Sequence, residues 1–236
     1  MAEEASSGYH HLPEGAQQER WQQQKEDYDD TALVIEGHPV MEAWEAPYMH
    51  EFAALVTRNR GRVLECGFGM GLSATAIQSF GPDEHVIIEA NADVFKRLEV
   101  FQSQADHKVT PVLGLAADAV SSLAAGSFDG IFYDTYPLNA EQQHIHQFAF
   151  IRNAYPLLKA GGILTYCNLT STGVLKNDYD NWEDLFRETQ LPHLLDAGIA
   201  EDEIKGLTIV KVAPPATCQY FQHSTAMVPI IVKGSG

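Results

Sequence analysis

The chain is poor in basic residues. Its 236 residues include 15 Lys and Arg against 32 Asp and Glu, which gives a formal net charge of -17 at pH 7. Proteins that bind nucleic acids concentrate Lys and Arg into stripes that replace the counterions of the phosphate backbone. This composition therefore argues against a nucleic-acid partner.

Cysteines and long apolar runs are also scarce. Cys66, Cys167 and Cys218 are scattered without CxxC spacing, which favours neither a disulfide framework nor a zinc site. His144 and His146 lack the i,i+4 spacing of a zinc-binding helix, so we expect packing or capping roles for them and no metal. No apolar run approaches the roughly 20 residues that span a bilayer, and no signal-peptide pattern is recognisable. These absences predict a cytoplasmic protein without a membrane partner. For the oligomeric state we expect a monomer or homodimer.

The composition changes near residue 38. Residues 1–37 are polar and rich in Gln and Glu, which predicts a mobile N-terminal arm that could close over a site as a lid. Beyond them, short β-rich segments alternate with segments of helix length. Because 45% of the chain is apolar, one sizeable core is expected. We predict one domain over 38–233 and a flexible end over 234–236.

The alternation predicts an α/β fold of the Rossmann-like kind. Strands are expected near 62–66, 85–89, 109–113, 129–134, 162–167, 207–213 and 227–232, and helices near 71–79, 91–104, 144–158 and 181–196. Strand–helix–strand units form parallel sheets with right-handed crossovers. No helix separates the last two strands, so they should form an antiparallel hairpin at the end of a mostly parallel, seven-stranded sheet.

Three of the predicted strands end in residues suited to ligand binding. The first is followed by Gly67–Gly71, the second ends in Glu89 and the third in Asp134. Ligands of open α/β sheets bind beyond the carboxyl ends of parallel strands, so these residues should outline one nucleoside-binding crevice. Glycines let the backbone approach a ligand closely, and Glu89 can accept both ribose hydroxyls. Each of these features also has a purely structural explanation. The glycines could form a tight turn, Glu89 could be a solvated acid at a strand end, and Asp134 could cap a helix.

The spacing of the glycines narrows the choice of ligand. The turn does not have the GxGxxG pattern of a dinucleotide site, because Leu72 and Ser73 follow the last glycine. A GxGxG turn suits a nucleoside that carries an amino-acid tail. S-adenosylmethionine is such a ligand.

Several longer segments resemble those of a known family. Phe68–Met70, Met41–His50, Tyr133–Leu138, His144–Phe148 and Leu164–Ser171 look like guanidinoacetate N-methyltransferase segments and occur in the same order. The resemblance extends from about Gly37 to Lys233. That family consists of class I S-adenosylmethionine-dependent methyltransferases with a seven-stranded sheet, which convert guanidinoacetate to creatine. The resemblance thus implies both this fold and this reaction.

Carried over residue by residue, the resemblance implies a cofactor site and an acceptor site. The cofactor would contact Trp21, Met41, Met49, Gly67, Phe68, Gly69, Met70, Gly71, Leu72, Ser73, Glu89, Ala90, Asn91, Ala116, Ala117 and Asp134. The guanidino group of a small-molecule acceptor would lie between Glu45 and Asp134. Its carboxylate would meet the backbone N–H groups of Leu169 and Thr170.

Two segments depart from the family's pattern. Ala116-Ala117-Asp118 stands where the family has Trp-Glu-Asp, and Gly71-Leu72-Ser73 stands where the vertebrate enzymes have Ala-Ile-Ala. The second form is shared with the related arginine δ-nitrogen methyltransferases. A methyltransferase for another guanidino acceptor, such as arginine, and a non-catalytic S-adenosylmethionine-binding protein are therefore alternatives. Retention of Glu45 and Asp134 argues against a non-catalytic protein.

The chemistry of a guanidinium explains the need for two carboxylates. Its pKa lies near 13, so only about one molecule in a million is neutral at pH 7. Two carboxylates can orient the planar cation, and one of them can accept its proton as the carbon–nitrogen bond forms. We expect Asp134 to be the catalytic base and Glu45 the clamp.

Overall fold

The structure of the chain is a computed structural model that describes residues 14–35, 37–137 and 142–235, with side chains from residue 18 onward. The strands are β1 (Glu26–Tyr28), β2 (Ala32–Ile35), β3 (His38–Glu42), β4 (Arg62–Cys66), β5 (Glu84–Glu89), β6 (Val109–Leu113), β7 (Phe128–Asp134), β8 (Leu158–Cys167), β9 (Ile204–Lys211) and β10 (Thr225–Val232). The α-helices are α1 (Glu14–Gln23), α2 (Ala46–Val56), α3 (Leu72–Ser79), α4 (Ala92–Gln104), α5 (Ala116–Ala119), α6 (His146–Ala154), α7 (Leu169–Leu175), α8 (Trp182–Thr189) and α9 (Leu191–Asp196). None of these helices has the length and apolar content to cross a membrane.

The central sheet confirms the predicted fold class. Its seven strands lie in the order β6-β5-β4-β7-β8-β10-β9. The strands from β6 to β8 pair in parallel, whereas β10 pairs antiparallel with both β8 and β9. The predicted terminal hairpin is therefore present, and its second strand is the one that joins the parallel part of the sheet.

A second, three-stranded antiparallel sheet was not predicted. It has the order β1-β2-β3, and its residues Leu33 and Ile35 are buried against Phe68, Val94 and Leu98. Alternate residues of β2 point into this small core, which is the usual pattern of a half-buried strand. The segment predicted as an arm thus contains α1 and two strands.

The predicted division at residue 37 falls at the turn between β2 and β3. It stays a prediction, as does the lid role of the arm. Residues 1–13 of that arm, Leu138 of the resembling segment and the terminal Gly236 lie outside the described residues.

Prolines account for two differences from the predicted helices. α6 ends at Ala154 rather than near residue 158, because Pro156 follows and β8 begins at Leu158. The segment predicted as a single helix over 181–196 forms α8 and α9, with Pro192 in the first turn of α9. Proline lacks the N–H that a helix interior requires but is tolerated in a first turn, so the helix restarts there.

Candidate active site

A cavity of about 270 Å³ lies at the carboxyl edge of the central sheet. The residues predicted for the site that line it are Trp21, Met41, Glu45, Gly67, Gly69, Glu89, Ala90, Ala116, Ala117, Asp134, Leu169 and Thr170. The sheet register explains why they meet: Cys66, at the end of β4, pairs with Ile88 on one side and Tyr133 on the other. Residues that follow these three strands therefore converge on one crevice.

The glycine turn requires its glycines for two reasons. Gly67, Gly69 and Gly71 have φ values of 92°, 51° and 74°, which side chains rarely permit. A Cβ atom on Gly67 would lie 1.9 Å from the carbonyl oxygen of Asp134, and one on Gly69 would lie 3.1 Å from the sulfur of Met41. A side chain at Gly67 would therefore clash with β7, and one at Gly69 would crowd Met41 on β3.

Glu89 is held by the backbone of the same turn. Its carboxylate accepts the N–H of Phe68 at 2.9 Å and the N–H of Asn91 at 2.7 Å. Burial raises the pKa of Glu89, and these backbone hydrogen bonds oppose that rise. Glu89 thus lines the cavity with a carboxylate that the backbone of the turn and of the strand end holds in place.

The other residues predicted to contact the cofactor do not line the cavity: Met49, Phe68, Met70, Gly71, Leu72, Ser73 and Asn91. Met49 is fully buried in the main core, and the Phe68 ring packs in the small core beside Leu33. The Ser73 hydroxyl donates to Glu65. The Phe68 ring lies against Gly71 and so supports the turn. Contact of these seven residues with the cofactor stays a prediction.

Asn91 connects the cavity to α1. Its side-chain oxygen caps α4 by accepting the N–H groups of Asp93 and Val94. Its side-chain nitrogen donates to the carbonyl oxygens of Trp21 and Gln24, both at 2.9 Å. Because each polar atom of the Asn91 side chain has a partner, this residue fixes the end of α1 beside Glu89.

Trp21 completes that side of the cavity. Its ring stacks on Tyr136 with the ring centroids 5.2 Å apart and the planes 3° from parallel. Both rings line the cavity. An aromatic wall therefore covers the site next to the ends of β5 and β7.

Two carboxyl groups on different elements line the cavity, one buried and one partly buried. Glu45, which immediately precedes α2, is 4% exposed, and Asp134 ends β7. Burial raises the pKa of Glu45 to about 8, with a further contribution from the charge of Asp134. Burial also raises the pKa of Asp134 to about 7, with a contribution from Glu65. A cation between the two groups would favour the ionised form of both.

Tyr220 and His146 also line the cavity. The sequence analysis did not predict either of them as a site residue. The Tyr220 hydroxyl donates to Oε1 of Glu45 at 2.6 Å, yet Tyr220 lies in an irregular segment without a recognisable motif. His146, expected to pack or cap, has Nδ1 3.1 Å from the Tyr133 hydroxyl. Burial lowers the pKa of His146 to about 4, so it is neutral at pH 7. Within the described ranges, no group of His, Cys, Asp and Glu is arranged to hold a metal ion.

The raised pKa of Glu45 predicts a pH-dependent stability for the ligand-free protein. Below about pH 4 its carboxyl is protonated in the folded and unfolded chain alike. As the pH rises from there to about 8, only the unfolded chain ionises it, so the free energy of unfolding falls. Glu45→Gln removes this loss, and we expect the variant to gain on the order of 3 kcal/mol relative to the wild type between pH 5 and pH 8. Urea unfolding at both pH values measures the difference.

Glu99→Gln, on the exposed surface of α4, is the matched control. It should follow the wild-type pH dependence. If Glu45→Gln follows it too, Glu45 is not the source of the effect.

Comparison with known proteins identifies the family. The profile described as guanidinoacetate N-methyltransferase matches residues 11–234. Among curated relatives, protein arginine N-methyltransferase 2 of Yarrowia lipolytica is 29% identical over 150 residues, which cover 60% of this chain and 31% of that protein. The protein of the same name from Candida glabrata is 36% identical over 118 residues, which cover 46% of this chain and 29% of that protein. The chain thus spans about a third of the length of these relatives.

Solved structures share the fold at low sequence identity. Spermidine synthase from Thermotoga maritima has a TM-score of 0.59 at 13% identity and covers 90% of this chain and 73% of its own. TYW2 of M. jannaschii, solved in complex with AdoMet, has a TM-score of 0.55 at 12% identity and covers 89% of this chain and 84% of its own.

The chain belongs to the guanidinoacetate N-methyltransferase family of class I methyltransferases, and its cofactor is S-adenosylmethionine.

Proposed function

We propose that this protein transfers the methyl group of S-adenosylmethionine to a guanidino nitrogen of guanidinoacetate and forms creatine and S-adenosylhomocysteine. The observation that carries the proposal is the pair of carboxyl groups, buried Glu45 and partly buried Asp134, in one cavity with the glycine turn and Glu89. A planar guanidinium is the cation that two carboxylates bind best. The family to which the chain belongs supports the same acceptor.

The glycine turn and Glu89 fit the cofactor. Gly67 and Gly69 present bare backbone to the cavity, and the Glu89 carboxylate lies at the end of β5, where a ribose would bind. At the other end of this crevice, Ala116 and Ala117 leave room beside Gly114. When bound, S-adenosylmethionine supplies an electrophilic methyl group on its sulfonium sulfur.

The two carboxylates would have different tasks. Glu45 binds the guanidinium and orients it, which reduces the entropic part of the barrier. Asp134 accepts a proton from the nitrogen that becomes methylated. Its raised pKa of about 7 suits this task, because general bases work best when their pKa lies near the working pH.

The carboxylate of the acceptor would bind at the start of α7. Leu169 and Thr170 are the first residues of this helix and line the cavity. Helix N-termini favour negative charge. A short acceptor with a cation at one end and a carboxylate at the other would therefore reach both Asp134 and α7.

Arginine within a protein is the second candidate acceptor. The curated relatives are named protein arginine N-methyltransferase 2. The segment Gly71-Leu72-Ser73, which resembles that of arginine δ-nitrogen methyltransferases, also favours arginine as the acceptor. The carboxylate pair would bind the guanidinium of either acceptor. What distinguishes them is whether a free carboxylate must lie a short distance from the guanidinium.

Methylation assays with a panel of acceptors test the proposal. We expect kcat/KM to be highest for guanidinoacetate. Arginine should be poorer because its longer stem separates the two charges. Agmatine, which lacks the carboxylate, should lose at least about tenfold, as expected for a charge-assisted hydrogen bond. If an arginyl peptide gives the highest kcat/KM, the second candidate replaces the first.

Glu89→Ala tests the ribose site. Loss of a hydrogen-bonding carboxylate should weaken S-adenosylhomocysteine binding by about 2–3 kcal/mol, the range for hydrogen bonds to a charged group. Isothermal calorimetry measures the dissociation constant, and Glu99→Ala on the exposed face of α4 is the control. An unchanged dissociation constant in a folded Glu89→Ala protein would remove Glu89 from the site.

Asp134→Asn tests the base. The variant should bind S-adenosylhomocysteine nearly as the wild type does but lose about 10²-fold or more in kcat, because the amide cannot accept the proton. Asp129→Asn is a control on the same strand, at the end opposite the cavity and bound to Lys159. Full turnover by folded Asp134→Asn would show that another group accepts the proton.

A further inference from the structure

Tyr220 reaches the cavity from the long connection between β9 and β10. Its hydroxyl donates a hydrogen bond of 2.6 Å to Oε1 of Glu45. Glu45 and Tyr220 are 175 positions apart in the chain, so the contact depends on the fold rather than on local geometry. Tyr220 is therefore a candidate for a role in the site.

The Tyr220 side chain is held in place from two sides. Its ring stacks against Trp44, with centroids 6.3 Å apart, and the Trp44 ring nitrogen donates to Glu42 at 2.6 Å. The backbone of the connection packs directly on α7, since a Cβ atom on Gly173 would lie 2.7 Å from the Tyr220 carbonyl oxygen. These contacts restrict the position of the hydroxyl.

The hydroxyl determines which oxygen of Glu45 remains for a ligand. Oε1 accepts both the Tyr220 O–H and the backbone N–H of Glu42, the latter at 2.9 Å. A carboxylate oxygen has about two lone pairs, so both on Oε1 are in use. Oε2 is the oxygen left to a ligand in the cavity.

We propose that Tyr220 is a positioning residue for the acceptor: it holds Glu45 through Oε1 so that Oε2 binds the guanidinium, and it thereby leaves proton transfer to Asp134. The inference rests on the proposed function, because it takes Glu45 as the partner of a guanidino acceptor. In this arrangement Tyr220 does not touch the transferred methyl group. Its effect should therefore appear in acceptor binding rather than in turnover.

The same contact should influence the ionisation of Glu45. The groups that face Glu45 from the surrounding elements are Asp134, Glu42, Tyr48, Cys167 and Tyr220. Among them, the Tyr220 hydroxyl opposes the rise in the pKa of Glu45, whereas Asp134 and Glu42 add to it. Without the hydroxyl, Glu45 is protonated over a wider pH range, and a neutral carboxyl binds a cation less well. Bound guanidinium restores the charge of Glu45, so kcat is affected little.

Tyr220→Phe tests this inference, with Tyr166→Phe as a matched control. Tyr166 is fully buried and donates to Gln190 away from the cavity, so its variant loses a buried hydroxyl without touching Glu45. The measurements are kcat and KM for guanidinoacetate from pH 6 to pH 9, and the dissociation constant of guanidinoacetate in the presence of S-adenosylhomocysteine by calorimetry. S-adenosylhomocysteine binding alone and thermal unfolding report on the fold.

We expect Tyr220→Phe to raise KM and the guanidinoacetate dissociation constant by about tenfold or more, as for loss of a hydrogen bond to a charged group. The acidic limb of kcat/KM should move to higher pH, and kcat should stay within about threefold of the wild type. Tyr166→Phe should leave all of these unchanged per folded molecule.

Three results would overturn the inference. One is an unchanged KM and pH profile in Tyr220→Phe. Another is the same change in Tyr166→Phe, which would indicate a general structural effect. The third is a loss of kcat in Tyr220→Phe as large as in Asp134→Asn. Failure of the proposed function is recognised separately, in the wild type, which would then prefer an arginyl peptide to guanidinoacetate or methylate no guanidino acceptor.

Discussion

The parallel register of β4, β5 and β7 is the constraint on which the site depends. It aligns the carboxyl ends of these strands, so the residues after them are brought together although they are far apart in sequence. Gly67 lies against the backbone of Asp134, and its N–H donates to the Ile88 carbonyl at 2.9 Å. The turn is thus locked to both neighbouring strands. A side chain at Gly67 would meet the Asp134 carbonyl and force the two strand ends apart, which would deform the cavity.

The carboxyl pair of Glu45 and Asp134 is unfavourable for the ligand-free protein and would favour the binding of a cation. Two acids in one water-poor cavity disfavour each other's ionisation, and burial raises both pKa values. A bound guanidinium would oppose this effect, because its positive charge attracts both carboxylates and its N–H groups can donate to both. Binding should therefore release protons. Neutral amines or alcohols of similar size would not stabilise the ionised carboxylates in this way. The pair should therefore select cations over neutral ligands.

The sequence predicted the main sheet because its strands are apolar, short and separated by helix-length segments. It also predicted much of the cavity, since glycines and acids at strand ends have a chemical reason to be there. The β1–β3 sheet was missed because the surrounding segment is polar and only alternate residues such as Leu33 and Ile35 are buried. Tyr220 was missed because it meets Glu45 only through tertiary packing, which no local pattern encodes.

A second buried network lies behind the glycine turn and acts on the base. Glu65 on β4 and His85 on β5 are fully buried with Oε2 and Nε2 2.9 Å apart, and Ser73 on α3 donates to Glu65. This cluster ties α3 to the sheet just where the turn ends. The charge of Glu65 also contributes to the raised pKa of Asp134. The strength of the proposed base is therefore determined in part by Glu65, which does not line the cavity. The support of the turn and the proposed proton transfer are thus linked through one side chain.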